Sequence, residues 1–299
     1  MPGLFYEPIS RKTFLKTTAW MAGAGLFGQF AGEAGADDEP ANEAHVALLS
    51  DTHIPADAAN EYRGFRPVDN LRQVVPQVVA TRPTAVIVNG DAARLEGARE
   101  DYAALKELLT PVAQQAPVTI GLGNHDDRGN FFREFPRPRD GTARPGDRHV
   151  AVLECGPVRF IVLDSLLYVN RVAGLLGKAQ RAWLAGYLET SDDRPHVLLV
   201  HHTLGDGDGD LLDVDRLFGI IGRCPKVKAL CYGHSHRYAH ERRGHIHLIN
   251  LPAVGYNFAD TEPVGWIDAR FTKTGVSMVL RAIGGNKDGD SKTTTLDWA

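Results

Sequence analysis

Five short apolar runs in this chain each end in side chains that bind metal ions. Residues 46–49 lead into Asp51 and His53, and 85–88 into Gly90 and Asp91. Residues 117–122 lead into Gly123, Asn124, His125 and Asp126, an unusual density of site chemistry in consecutive positions. Residues 197–200 end in His201 and His202, and 227–232 in Gly233, His234, Ser235 and His236. Imidazole and carboxylate together suit borderline ions such as zinc, iron and manganese. Short apolar runs of this kind read as buried strands. A site assembled from several strand ends lies at the carboxyl edge of an α/β sheet, where such folds place their ligands.

The order D-x-H, G-D, G-N-H-D, H, G-H-x-H resembles the calcineurin-like metallophosphoesterases across about residues 45–250. The resemblance implies an α/β fold, a layered sandwich of two mixed β-sheets flanked by helices, with metals at the strand C-terminal ends. It also implies two metal ions, manganese, iron or zinc. One takes Asp51, His53 and His236, the other takes Asn124, His201 and His234, and Asp91 bridges both. A bridging carboxylate offsets the repulsion between two cations, and a neutral amide such as Asn124 keeps the cluster from being over-neutralised. A hydroxide held between two metals is a nucleophile that exists at neutral pH, and the ions grip the phosphoryl oxygens. By the same resemblance His125 does not coordinate but faces the leaving group as a proton donor. Asp126 is then expected to orient the His125 ring.

His201 and His202 are adjacent, so on a strand they point to opposite sides and only one easily ligates. The family's H-x-P block aligns on His201, with Thr203 in place of the proline, which leaves His202 behind the metals or facing substrate. His45, His149, His196, His240, His245 and His247 lie in no motif and read as structural.

Three residues after Asp91, protein serine/threonine phosphatases carry an aspartate and purple acid phosphatases a tyrosine; here the residue is Arg94. Residues 123–128, with Leu163-Asp164-Ser165, look most like the bacterial cyclic-nucleotide and glycerophosphodiester phosphodiesterases. The function expected is therefore hydrolysis of a small phosphodiester. The alternatives are a phosphomonoesterase and a non-catalytic extracytoplasmic metal-binding sensor. Arg94 and Arg128 are candidates to hold the anionic substrate, because a guanidinium grips phosphate oxygens bidentately and keeps its charge.

The elements that position these residues follow from periodicity. Residues 68–80 have helical apolar spacing interrupted by Pro76, and 100–109, 180–188 and 211–221 also read as helices. Further strands are expected at 149–153, 158–163, 246–251 and 276–283. Periodicity disappears from 128 to 148, an arginine-rich stretch that reads as a long loop beside the site. Residues 284–299 read as a loose polar tail.

The chain has 299 residues, 43% of them apolar, enough for a substantial core. A formal charge of −4 gives no support for binding a nucleic-acid polymer. Its three cysteines cannot all pair and have no zinc-ribbon spacing. Residues 1–36 resemble a twin-arginine export signal, Ser10-Arg11-Lys12-Thr13-Phe14-Leu15-Lys16 before a glycine-rich apolar run at 17–30. That run is shorter than the roughly 20 residues of a membrane span, so the expected location is periplasmic or secreted. A linker at 37–44 then leads into the domain at 45–283.

Two decoys are rejected. Gly23-Ala24-Gly25-Leu26-Phe27-Gly28 matches the dinucleotide pattern but follows no strand. The glycine–aspartate alternation at 205–210 lacks both the turn glycine and the bidentate glutamate of a calcium loop.

Overall fold

The computed structural model describes residues 42–136 and 145–298. The export signal expected at 1–36 lies outside those residues, as do Arg137, Arg139 and Arg144 of the arginine-rich stretch. In chain order the strands are β1 (Ala44–Leu49), β2 (Ala85–Asn89), β3 (Val118–Gly121), β4 (Ala151–Cys155), β5 (Val158–Val162) and β6 (His196–Leu199). They continue with β7 (Val227–Tyr232), β8 (Ala239–Arg243), β9 (Ile246–Asn250), β10 (Pro263–Phe271), β11 (Gly275–Gly285) and β12 (Thr293–Asp297). The helices are α1 (Pro67–Thr81), α2 (Arg99–Ala113), α3 (Arg128–Glu134), α4 (Gly177–Thr190) and α5 (Val214–Ile221).

Two six-stranded mixed sheets result. One has the order β12-β11-β10-β1-β2-β3 and the other β4-β5-β6-β7-β9-β8. In the first, β1, β2 and β3 are parallel; in the second, β5, β6, β7 and β9 are. The remaining pairings are antiparallel.

The alternation of side chains along each strand builds the layers. On β1, Val46 and Leu48 enter a core shared by both sheets, with Ile87, Val162, Val197, Leu199 and Cys231. Phe160 meets Phe271 across it edge-to-face at 4.9 Å. Ala47 and Leu49 face the other way, onto α1 and α2 through Leu71, Val74, Val78, Leu105 and Leu109. The second sheet does the same with α4 and α5, through Leu184, Leu188, Leu217 and Ile221. The expected sandwich of two sheets between helices is the fold observed. Truncating a side chain such as Leu48, which has no exposed surface, costs about 2–5 kcal/mol.

Pro67 opens α1, where a missing N–H costs nothing. The helix also continues through Pro76, which lies on its exposed face. Three features depart from the expectations. The stretch after residue 127 begins as a helix, α3, capped by the Asp127 carboxylate accepting from Asn130 N–H at 2.7 Å. Its Phe131 and neighbouring Phe135 are buried against Tyr102. β8 and β10 were not read from the sequence: β8 is a mostly exposed, charged strand, and Gly265, Asp268 and Arg270 interrupt the apolar pattern of β10. Residues 284–298 are not a loose tail: β12 pairs with β11, and the Trp298 indole N–H donates to the Thr272 carbonyl at 3.2 Å.

Candidate metal centre

The parallel strands deliver their C-terminal ends to one place. Asp51 and His53 follow β1, Asp91 follows β2, Asn124 follows β3, His201 follows β6, and His234 and His236 follow β7. Backbone hydrogen bonds knit these loops together. Asp51 and His53 N–H donate to the Gly90 and Asp91 carbonyls at 3.1 and 2.8 Å, and Gly233 N–H donates to the His201 carbonyl at 2.9 Å. Asp51, His53, Asp91, His234 and His236 all have left-handed backbone, with φ of 51, 47, 44, 69 and 53°. Each such residue costs on the order of 1–3 kcal/mol, and strain of this kind collects at functional sites. Gly123 is required for close approach, since a Cβ there would collide with the Asp91 carboxylate.

The side chains form overlapping triads whose ligand atoms lie within 4.8 Å of one another. Asp51, His53 and His236 make one, and Asp91, His201 and His234 another. Asp91 joins them, its Oδ2 being 3.3 Å from His201 Nε2 and 3.6 Å from His53 Nε2. His125 also brings a ring nitrogen within the same 4.8 Å reach of His53 and Asp91.

The hydrogen bonds on the far side of each ring fix which nitrogen can ligate. His201 Nδ1 lies 3.0 Å from the Asn89 carbonyl and His236 Nδ1 lies 2.6 Å from the Tyr256 carbonyl. A carbonyl only accepts, so both Nδ1 atoms carry hydrogen and the Nε2 atoms, turned to the centre, are the ones left to ligate a cation. His53 Nε2 faces His236 Nε2 at 3.1 Å. Asn124 Oδ1 and His201 Nε2 are buried without a hydrogen-bond partner. Buried acceptors crowded in this way are costly unless a cation satisfies them, so the donor set fits metal ions.

Electrostatics follow from burial and from this crowding. Burial pushes His53 down to about 3, and burial together with the charge on His201 takes His234 down to about 4. His201 is the exception: burial lowers it, but the Asp91 and Asp51 carboxylates raise it to about 10. Burial disfavours charge on Asp51 and Asp91, yet His201 holds both well below the usual carboxylate range.

Other expected residues are placed differently. The Asp126 carboxylate does not orient His125. It is fully buried and accepts from Ala92, Ala93 and Gly123 N–H and from the Tyr102 hydroxyl at 3.2, 3.0, 2.8 and 3.0 Å. It thereby ties the Asp91 loop to the Asn124 loop. Burial, reinforced by the charge on Asp91, lifts it to about 6. The Leu95 carbonyl holds His125 instead, 2.8 Å from Nδ1, and the His125 N–H donates to Asp91 Oδ1 at 2.9 Å.

Arg128 is not available to substrate, because Asp164 and the Leu166 carbonyl take up its guanidinium. His202 is fully buried behind the His234 ring. Its Nδ1 lies 2.7 Å from Ser165 Oγ and its ring 4.9 Å from that of His234. Arg94 is half-buried beside the centre; among the described residues no carboxylate pairs with it, and its Nε reaches Asn60 Oδ1 at 3.5 Å. Sequence reasoning missed Tyr256, which stacks on His53 at 4.7 Å. The available signal was its place just after β9, a strand parallel to β7 whose end reaches the same edge.

A model of the calcineurin-like phosphoesterase family matches residues 44–238. The chain belongs to this family. The match runs from the start of β1 to just past His236 and so spans every residue of the centre. Relatives include a glycerophosphodiester phosphodiesterase of Enterobacter lignolyticus, 29% identical over 73% of this chain and 81% of that one. A probable cyclic nucleotide phosphodiesterase of Rhodopseudomonas palustris is 32% identical over 72% of this chain and 84% of its own length. The fold is similar to that of a dimetal phosphatase from Danio rerio, with a TM-score of 0.65 at 16% identity, covering 86% of this chain and 99% of that one. The family uses a dinuclear metal centre, in keeping with the His/Asp triads joined at Asp91. No helix among the described residues is long and apolar enough to cross a membrane.

Proposed function

We propose that this chain is a phosphodiesterase, hydrolysing a small phosphodiester at a centre of two metal ions. The observation that carries the reading is the Asp91 carboxylate within ligand reach of His53 on one side and of His201 and His234 on the other. Asp51, His53 and His236 would hold one ion and Asn124, His201 and His234 the other, with Asp91 shared. When bound, such ions supply Lewis acidity toward the phosphoryl group and a nucleophile from water at neutral pH.

The chain's own residues do the rest. The Leu95 carbonyl accepts from His125 Nδ1–H and orients the ring, so that the imidazolium form would turn Nε2–H to the departing oxygen and give that proton up. Half-buried beside the centre and free of a carboxylate partner among the described residues, Arg94 keeps a charged fork for a phosphate oxygen; an unchanged KM in Arg94→Ala would remove that role. The choice of diester over monoester rests on the relatives, which are named as phosphodiesterases.

The test is turnover of bis-(4-nitrophenyl) phosphate and 4-nitrophenyl phosphate by metal-stripped protein reloaded with manganese, zinc or iron. The expected result is metal-dependent hydrolysis with the diester preferred. Hydrolysis of the monoester alone would overturn the diester reading, and full activity after stripping would overturn the metal role.

A further inference from the structure

Three of the large apolar side chains left exposed crowd one end of the metal centre. Phe258, 49% exposed, stacks on the His236 ring at 4.2 Å with 26° between the planes. Tyr62, 40% exposed, meets Tyr256 edge-on at 4.8 Å, and Tyr256 in turn stacks on His53. Leu95, 47% exposed, is the residue whose carbonyl holds His125. The Arg94 guanidinium lies over both tyrosines, 5.2 Å from the Tyr62 ring centre and 5.7 Å from that of Tyr256.

Neither the ions nor the phosphate oxygens have any use for exposed rings. Apolar residues scattered singly over a surface are ordinary, but rings gathered at the mouth of a polar site form the apolar part of a ligand pocket. Aromatic faces beside a guanidinium plane are what holds a flat ring, through stacking and cation–π attraction. The His201 and His234 end of the centre is backed by the buried His202 ring. The exposed Tyr168 and Val172 flank Asn170, whose N–H donates to the Asn124 carbonyl, but no ring or guanidinium contact ties them to the centre among the described residues.

We propose that this rim binds a planar aromatic group carried by the phosphoester, a nucleobase or an aryl ring, and that Tyr62 and Phe258 select for it. The proposal rests on the phosphoesterase reading of the centre and names the substrate class for it. A glycerol diester has no flat ring to stack, so the same surface disfavours it by comparison.

The test compares kcat/KM of the manganese-loaded full chain on three diesters: 3′,5′-cyclic AMP, bis-(4-nitrophenyl) phosphate and glycerophosphoethanolamine. In Tyr62→Ala the ratio of each aromatic substrate to the aliphatic one is expected to fall about tenfold, the scale of one base–aromatic stack. Phe258→Leu keeps bulk against His236 while removing the ring, and the same fall is expected with the metal count unchanged. A fall for cyclic AMP alone identifies a nucleobase site, and a fall for both aromatic substrates a general aryl site.

A ratio unchanged in both variants overturns the proposal. Binding of 5′-AMP by calorimetry supplies a readout apart from turnover, and affinity equal in wild type and Tyr62→Ala also overturns it. If wild type hydrolyses only monoesters, the diester reading fails separately. The ratio of 4-nitrophenyl phosphate to glycerol phosphate then decides the rim.

Discussion

Asp91 Oδ2 and His201 Nε2 face each other at 3.3 Å in the buried centre. The His201 ring is committed on its other side to the Asn89 carbonyl. The Asp91 carboxylate is committed to the His125 N–H through Oδ1 only. The two facing atoms are thus a carboxylate oxygen and the remaining imidazole nitrogen, both turned to the same interior point. Asp91→Ala should abolish turnover and lower the bound metal, because it removes an atom within reach of both triads. Elemental analysis of the purified variant checks this; an undiminished metal count would remove Asp91 from the bridging position.

His125 should behave in the opposite way. Its ring is half-buried and held by Leu95, and His53, Asp91 and His236 remain intact without it. His125→Ala should keep its metal and lose about 100-fold or more in kcat, the range of general acid catalysis. The loss should grow with the pKa of the leaving alcohol. Equal losses for a nitrophenolate and an alkoxide would argue that the ring does not deliver the proton.

A third expectation is structural. Arg128 donates through two nitrogens to Asp164, at 2.7 and 2.8 Å, and that carboxylate has no exposed surface. Removing the guanidinium strands a buried charge, with Arg148 3.7 Å away and the His149 and Leu166 amides left to hold it. Arg128→Ala should cost about 3 kcal/mol of stability, read by chemical denaturation, with KM unmoved. A raised KM at unchanged stability would return Arg128 to the substrate.

The residues of the His/Asp triads were legible because each lies just past an apolar run, and strand ends in α/β sheets are where sites are built. His201 could be chosen over His202 because the family's H-x-P block aligns on it; the two rings lie 5.1 Å apart, and Ser165 takes up His202 Nδ1. Asp126 was misread because proximity in sequence to His125 says nothing of the backbone amides that converge on it from the Asp91 loop. Arginine identity alone could not separate Arg94, open to the mouth, from Arg128, forked onto a carboxylate 36 residues away. The aromatic rim has no motif at all: Tyr62 and Phe258 come from loops far apart in sequence and meet through Tyr256. β12 was missed for a different reason. An edge strand of threonines, half of it exposed, has little apolar pattern to read.

The last expectation concerns pH. Asp268 on β10 is buried and bonds His45 of the neighbouring β1 at 2.6 Å and Arg281 of β11 at 3.1 Å. The His45 hydrogen bond, with Arg281 adding to it and burial opposing, holds the Asp268 carboxyl below its usual value. An unfolded aspartate has a pKa of about 3.9. A carboxyl whose folded value is lower contributes stability that is present above that pH and is lost as pH falls through the folded value. Asp268→Asn should therefore cost roughly 1–3 kcal/mol at neutral pH, the scale of charged hydrogen bonds. The gap should narrow once pH drops below about 4. Thermal melts of metal-stripped wild type and variant between pH 7 and 3 read the difference directly, without metal release entering the comparison. A gap that stays constant across that range would mean that the three strands are joined by packing rather than by the charge on Asp268.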